Sequence, residues 1–226
     1  DLSWHTYNGI AQNSIFGTPK KENSASSVAT ASGSGGVASN NQQQTTNSTS
    51  SPAKILINEI QITGGSGKTG NDFIELYNPN NFEVNLNGYR LVKRTKSGTS
   101  DTSIKSWTSD TLISANGYYL WANSDYGDIS VAPDITTSAT ISNDNGIAVR
   151  YGSEDTGEII DSVGWGEAQN IFVEGSAFPQ NPENNQSIQR KFHPSTSSGF
   201  IDTDNNASDF EIQTCPSPKA PSKTCQ

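Results

Sequence analysis

The stretch "ILINEIQITGGSGKTGNDFIELYNP", residues 55–79, decides the fold of this chain. Its centre, "GSGKT", has the letters of a phosphate-binding loop. Such a loop needs G-x-x-x-x-G-K-[ST] and a following helix whose N-terminal amides face the phosphates. The first glycine should then stand at position 62, which is Ile62, and Lys68-Thr69 is followed by Gly70, Asn71 and an extended apolar segment. Both the spacing and the successor fail, so the glycines read as a flexible turn between two strands. If Ile60 faces Ile74 across that hairpin, Glu59 falls opposite Glu75. Like charges directly opposite are destabilising. Either both then project into water, or a cation or a basic side chain such as Arg90 or Lys93 lies between them, or the strands take a different register. Two neighbouring carboxylates also resemble a general acid–base pair, but nothing else in the sequence supports catalysis by them.

The rest of the chain repeats the pattern. "GYRLVKR", "GYYLWAN", "GIAVRYG", "EIIDSVGWG" and "QSIQRKF" are short and β-rich, and Gly, Asn, Asp and Ser clusters separate them. Three are entered through Asn87-Gly88, Asn116-Gly117 and Asn145-Gly146, dipeptides suited to tight turns. No segment keeps a 3.6-residue apolar period over three turns, so the pattern is all-β, a sandwich or barrel.

Composition narrows the function classes. The formal charge is −9 and the pI about 4.6, which disfavours non-specific nucleic-acid binding. No apolar run reaches the roughly 20 residues of a membrane helix. Lacking Met and beginning at Asp1, the chain reads as a mature product or a piece of a longer protein. Its two cysteines, Cys215 and Cys225, fit no zinc spacing and read as a small disulfide loop formed in an oxidising compartment.

Four zones follow. Residues 1–23 carry Trp4, Tyr7, Ile15 and Phe16, able to pack against a partner. Residues 24–53 hold no charged and no aromatic residue, and read as a linker spanning about 30 Å as a random coil. Residues 54–214 contain the strands, and 215–226 form a Pro-rich tail with the disulfide loop.

The strand sequences "ILINEIQI" and "DFIELYNPNNFEVNLNGYRLV" resemble the opening of the lamin tail domain in its bacterial, secreted form. "LISANGYYLWAN", "NGIAVRY", "IIDSVGWG", "SIQRKF" and "DTDNNASDFEI" extend the resemblance over residues 54–218. It implies an immunoglobulin-like β-sandwich at the cell surface or outside the cell, used for attachment, scaffolding or assembly rather than catalysis. "LSWHTYNG" near the N-terminus resembles the closing strand of a preceding module of the same kind. An orphan strand of that sort could add to an exposed sheet edge of a second copy. The expected partners are other copies or other surface proteins.

Candidate sites remain. Asp202, Asp204, Asn206 and Asp209 present alternating oxygen donors in the manner of a calcium loop, but the glycine of such a loop is replaced by Ala207. The other reading is an Asx-rich turn; no other cofactor is expected. His5 and His193 lack an evident nucleophile, and neither G-x-S-x-G nor H-E-x-x-H occurs, so the chain is not expected to be an enzyme. Trp107, Tyr118, Tyr119, Trp121 and Trp165 lie mostly on strands. A row of them facing outward would stack on glycans, whereas inward they are core. A carbohydrate- or calcium-binding accessory module is the alternative function.

Overall fold

In the computed structural model, which describes residues 51–127, 129–196 and 199–220, the decisive stretch is an antiparallel hairpin. Strand β1 (Leu56–Gln61) pairs with β2 (Phe73–Tyr77), with Ile60 opposite Ile74 and Glu59 opposite Glu75. The glycine-rich connection is a bonded turn rather than a loose tip. Gly64 N–H donates to Lys68 O, and Lys68 N–H returns to Gly65 O, both at 2.9 Å. Gly65 and Gly67 have φ of 98° and 76°, values that side-chain-bearing residues rarely adopt, so the turn needs glycine there.

The remaining strands are β3 (Val84–Asn85), β4 (Tyr89–Arg94), β5 (Thr102–Ser106), β6 (Leu112–Ile113) and β7 (Tyr118–Asn123). They are followed by β8 (Ile135–Thr137), β9 (Gly146–Tyr151), β10 (Glu158–Gly164), β11 (Ser187–Arg190) and β12 (Phe210–Gln213). A six-stranded sheet runs β12-β11-β1-β2-β7-β8 and a four-stranded sheet β10-β9-β4-β5, with β3 and β6 as a small third pair. The only helix among the described residues is the single turn Asn206–Asp209. All three Asn-Gly pairs stand at strand entrances, before β4, β7 and at the start of β9. The sandwich lies within one compact unit, Thr49–Gln226. No helix among the described residues is long and apolar enough to cross a membrane.

Alternation builds the core. Ile74 and Leu76 of β2, Tyr119 and Trp121 of β7, Leu91 of β4, and Ile147 and Val149 of β9 share one cluster with Ile188 and Phe210. Each large side chain so buried is worth about 1.5–3 kcal/mol. Strand β1 breaks the alternation: Ile57 and Ile60 both face the core although three residues apart. A bulge between Ile57 and Glu59 absorbs the extra residue, Asn58. It also frees the Ile57 backbone from the ladder, and the use of those freed groups is described below.

The opposite face of the six-stranded sheet is covered too, in three patches. Phe200 packs on Leu56 and Tyr77, with the Tyr77 and Phe200 rings 4.8 Å apart. Tyr126 and Ile129 pack on Phe73, Leu120 and Ala122. Between them the C-terminal tail crosses Glu59 and Glu75 and buries Ser217. The expected Pro-rich tail is therefore, over residues 215–220, a layer of the fold.

Candidate functional site

Two buried groups of carboxylates flank β1, one at each face of the six-stranded sheet. The first is centred on Arg190 of β11. The bulge in β1 leaves the Ile57 N–H to donate to Asp161 Oδ2 of β10 at 2.5 Å, and the Ile57 carbonyl to accept from Arg190 Nε at 3.0 Å. Arg190 Nη2 then meets both Asp161 oxygens, at 2.9 and 3.0 Å, and Nη1 meets Asp202 Oδ1 at 3.0 Å. The guanidinium lies 4.6 Å from the centre of the Phe210 ring. Arg190 and Asp161 are both wholly buried and belong to different sheets, so this pair ties the sandwich together. Burial lifts the Asp161 carboxyl to about 6 against the pull of Arg190, whose own guanidinium is held more firmly charged by Asp161 and Asp202. At neutral pH the pair is ionic.

Glu174 stands at the rim of this group. Burial, with the neighbouring Asp161 charge, raises its carboxyl to about 7, and it accepts from the Ser162 N–H and hydroxyl, both at 3.1 Å. Carboxylate oxygens of Asp161, Glu174 and Asp202 lie within 4.8 Å of one another, a spacing that suits a metal ion. Arg190 already supplies a positive charge to two of the three.

Of the four residues of the calcium reading, Asp202 and Asp209 both reach Arg190 Nη1, at 3.0 and 3.8 Å, while Asn206 is bonded to β10 and Asp204 is exposed. Asp202 pairs with Arg190 and with Lys54 Nζ at 2.9 Å. Asn206 Oδ1 accepts the Gly164 and Glu174 N–H groups, while its Nδ2 donates to Ser162 O at 3.0 Å. Asp209 accepts from Thr203 N–H at 2.7 Å and Thr203 Oγ1 at 2.6 Å. Asp204 is exposed, with φ of 55°. The segment has the bonding of an Asx-rich turn entering β12.

The second group is the Glu59–Glu75 pair. Neither carboxylate reaches water, and neither Arg90 nor Lys93 lies between them, which corrects the expectations of solvent exposure and of an intervening basic side chain. Arg90 is spent on Gly152 O and Ser106 Oγ, and Lys93 on Thr140 O. Alternation does send both glutamates away from the core, but the tail closes over that face. Glu59 Oε1 accepts Ser187 Oγ–H at 2.5 Å and the Ser217 N–H at 3.0 Å. Glu75 accepts Asn58 Nδ2 at 2.7 Å and the Lys219 N–H. Lys219 holds a left-handed backbone, φ 60°, and its ammonium turns away to Asp134 Oδ2 at 2.8 Å. Burial pushes the Glu59 carboxyl to about 7 and Glu75 to about 8, with Glu59 adding to the latter. All their partners are neutral donors.

A third ionic group was not visible in the sequence. Asp101 accepts Arg94 Nε at 2.7 Å and Arg150 Nε at 2.6 Å. Both guanidiniums lie over the Phe172 ring, at 5.1 and 5.3 Å. Burial works against the Asp101 charge, but Arg94, the Asp155 N–H and Arg150 together hold its carboxyl below the usual value. The signal available for such groups was a charged residue inside an otherwise apolar strand: Arg190 in "SIQR", Asp161 in "EIIDSVG", Arg150 in "GIAVRY".

The aromatic row does not exist as a surface. Trp107, Tyr119, Trp121 and Trp165 are buried in the core, and Tyr118 packs at the Phe200 patch. The exposed aromatics are others. Phe82 and Tyr151 line an open groove of about 400 Å³ with Pro52, Glu83, Asn85 and Tyr89. His193 is exposed, its Nδ1 accepting the Ser195 N–H at 3.3 Å. Cys215 is disulfide-bonded. Cys225, His5 and the segment with Trp4, Tyr7, Ile15 and Phe16 lie outside the described residues, as does the linker through residue 50.

An all-β sandwich with short strands and two facing sheets braced by buried charges defines an immunoglobulin-like module. The Lamin Tail Domain model matches residues 48–167, and the chain belongs to the lamin tail domain family. The match stops after β10, short of the 54–218 over which the resemblance was drawn; β11 and β12 complete the same sheet beyond it. No curated protein matches the chain. Among solved structures, the crystal structure of a DUF4876 family protein from Bacteroides thetaiotaomicron VPI-5482 at 2.50 Å resolution is 11% identical. It superposes with a TM-score of 0.46 over 71% of this chain and 71% of that one, a likeness that says nothing of function.

Proposed function

We propose that this chain is an extracellular structural or interaction protein whose sandwich serves adhesion, scaffolding or assembly, with strand donation between copies as the route of assembly. The observation that carries this reading is where the charged groups go. Arg190 with Asp161, and Arg94 and Arg150 with Asp101, are buried in ionic groups that brace the sheets, leaving the sheet edges for recognition. The disulfide at Cys215 suits an oxidising compartment. Strands β12 and β8 end the six-stranded sheet, and an end strand is the natural acceptor of an added one. Multi-angle light scattering of the full chain tests assembly: an oligomer that dissociates on deletion of residues 1–23 supports it, and a monomer at every concentration rejects it.

The groove that exposes Phe82 and Tyr151 favours a second reading, a carbohydrate-binding accessory module. Exposed rings flanked by Asn and Glu side chains suit stacking on a neutral sugar. Glycan-array binding abolished by Tyr151→Ala would support it; an array at background would remove it.

A further inference from the structure

We propose that Glu59, Glu75, Asn58 and Ser217 form a binding site for a hard divalent cation, calcium or magnesium, that fastens the C-terminal tail to the outer face of the six-stranded sheet. Two carboxylates sit directly opposite on neighbouring strands, both fully buried. Among the described residues no ammonium or guanidinium contacts either one, and the nearby Lys219 ammonium is turned to Asp134. Buried charges in proteins are paired or coordinate metals. Asp161 and Asp101 meet that requirement with arginine.

The second observation is independent of the carboxylates. Asn58 Oδ1 and Ser217 Oγ, on residues that are 0% and 3% exposed, have no hydrogen-bond partner. Both belong to residues already bonded to the pair. Asn58 donates through Nδ2 to Glu75, which fixes its amide against that carboxylate and leaves the oxygen of the same amide open. Ser217 donates its N–H to both oxygens of Glu59, at 3.0 and 3.3 Å. The donor set is thus all oxygen: two carboxylates, one amide carbonyl and one hydroxyl. Calcium and magnesium select such hard donors, completing the shell with water, whereas zinc and copper prefer imidazole and thiolate.

The geometry also explains why the sequence put Asn58 where it is. It is the extra residue of the β1 bulge, so its side chain joins Glu59 on the outer face instead of alternating into the core. Ser217 comes from the tail, so the ion would bridge strand and tail, and its removal would free the tail first.

The test uses the full chain stripped with chelator and titrated calorimetrically with calcium and then magnesium. One saturable site on the unmutated chain, weakened by about tenfold or more in Glu59→Gln and in Glu75→Gln but unchanged in Asp204→Asn, is expected. Binding lost in Asp204→Asn and kept in both glutamine variants would place the ion elsewhere and overturn the proposal, as would no binding of either ion. Hydrogen exchange on the unmutated chain keeps the test independent of how the variants fold. The Ser217 and Lys219 amides should exchange more slowly with the ion than with chelator, and identical rates would overturn the proposal.

Discussion

Arg190 and its carboxylates lie on one side of β1, and Glu59 with Glu75 on the other. Each cluster is built around the same bulge, yet they resolve burial differently. The first imports a guanidinium that meets Asp161 twice and takes both the Ile57 carbonyl and a stacking ring. The second has hydroxyl and amide donors alone. The difference teaches that a buried carboxylate by itself does not mark a functional site. What separates bracing from binding here is whether the protein brings its own cation.

That contrast can be broken at its strongest point. Arg190→Ala leaves Asp161 buried without a partner and should cost about 3–5 kcal/mol in urea denaturation at pH 7. Adding Asp161→Asn to Arg190→Met should recover part of the loss, because a neutral pair leaves no orphan charge. A loss below 1 kcal/mol on the order of a surface mutation would show that the clamp does not brace the sandwich.

Asp101 extends the comparison to a carboxylate with two arginines. Asp101→Asn should cost about 3 kcal/mol at neutral pH. Its carboxyl is held below the usual value, so the stability it lends is present above the ordinary Asp range and lost as pH falls through the depressed value. The gap between wild type and variant should therefore narrow in acid, measured by thermal melts at pH 7 and pH 3.

Asp72 supplies the opposite sign. It is buried, one oxygen accepts the Ile141 N–H at 2.8 Å, the other has no partner, and burial raises it to about 7. The stability tied to its raised value is full below the ordinary Asp range and lost as pH rises through about 7. Asp72→Asn should flatten that decline, which runs from the ordinary Asp range up to about pH 7, by at least about 1.4 kcal/mol, the worth of one pKa unit. An unchanged slope between pH 5 and 9 would refute this account of Asp72. At the small end, Lys96→Gln removes an exposed pair with Glu167 and should leave the melting temperature unchanged.

Much of the frame was legible in the sequence, for a physical reason. Strands β1, β2, β4, β7, β9, β10 and β11 carry alternating or continuous apolar runs, and Asn-Gly marks three of their entrances. Even the register that sets Glu59 against Glu75 could be read from the two apolar strands around the glycines. The short strands β3, β5, β6 and β8 carry too few apolar residues to announce themselves; β5, "TSIKS", buries Ile104 alone. The surroundings of the glutamates were not legible either. Partners such as Ser187 and Ser217 stand 128 and 158 residues from Glu59, and no local pattern links them. The bulge at Asn58 was hidden as well, since periodicity assumes that every residue takes its turn in the pleat.

The tail and the two last strands carry one more consequence. The family match ends at residue 167, but β11 is the strand between β1 and β12, and it holds both Ser187 and Arg190. A fragment cut where the family pattern ends would keep every strand of the four-stranded sheet and lose a neighbour of β1. Asp161 would be stranded inside it, and an apolar edge with open amides would face solvent. The stretch by which this domain is recognised is thus shorter than the sheet it belongs to, and a fragment ending at residue 167 is expected to melt far below the full chain or not to fold.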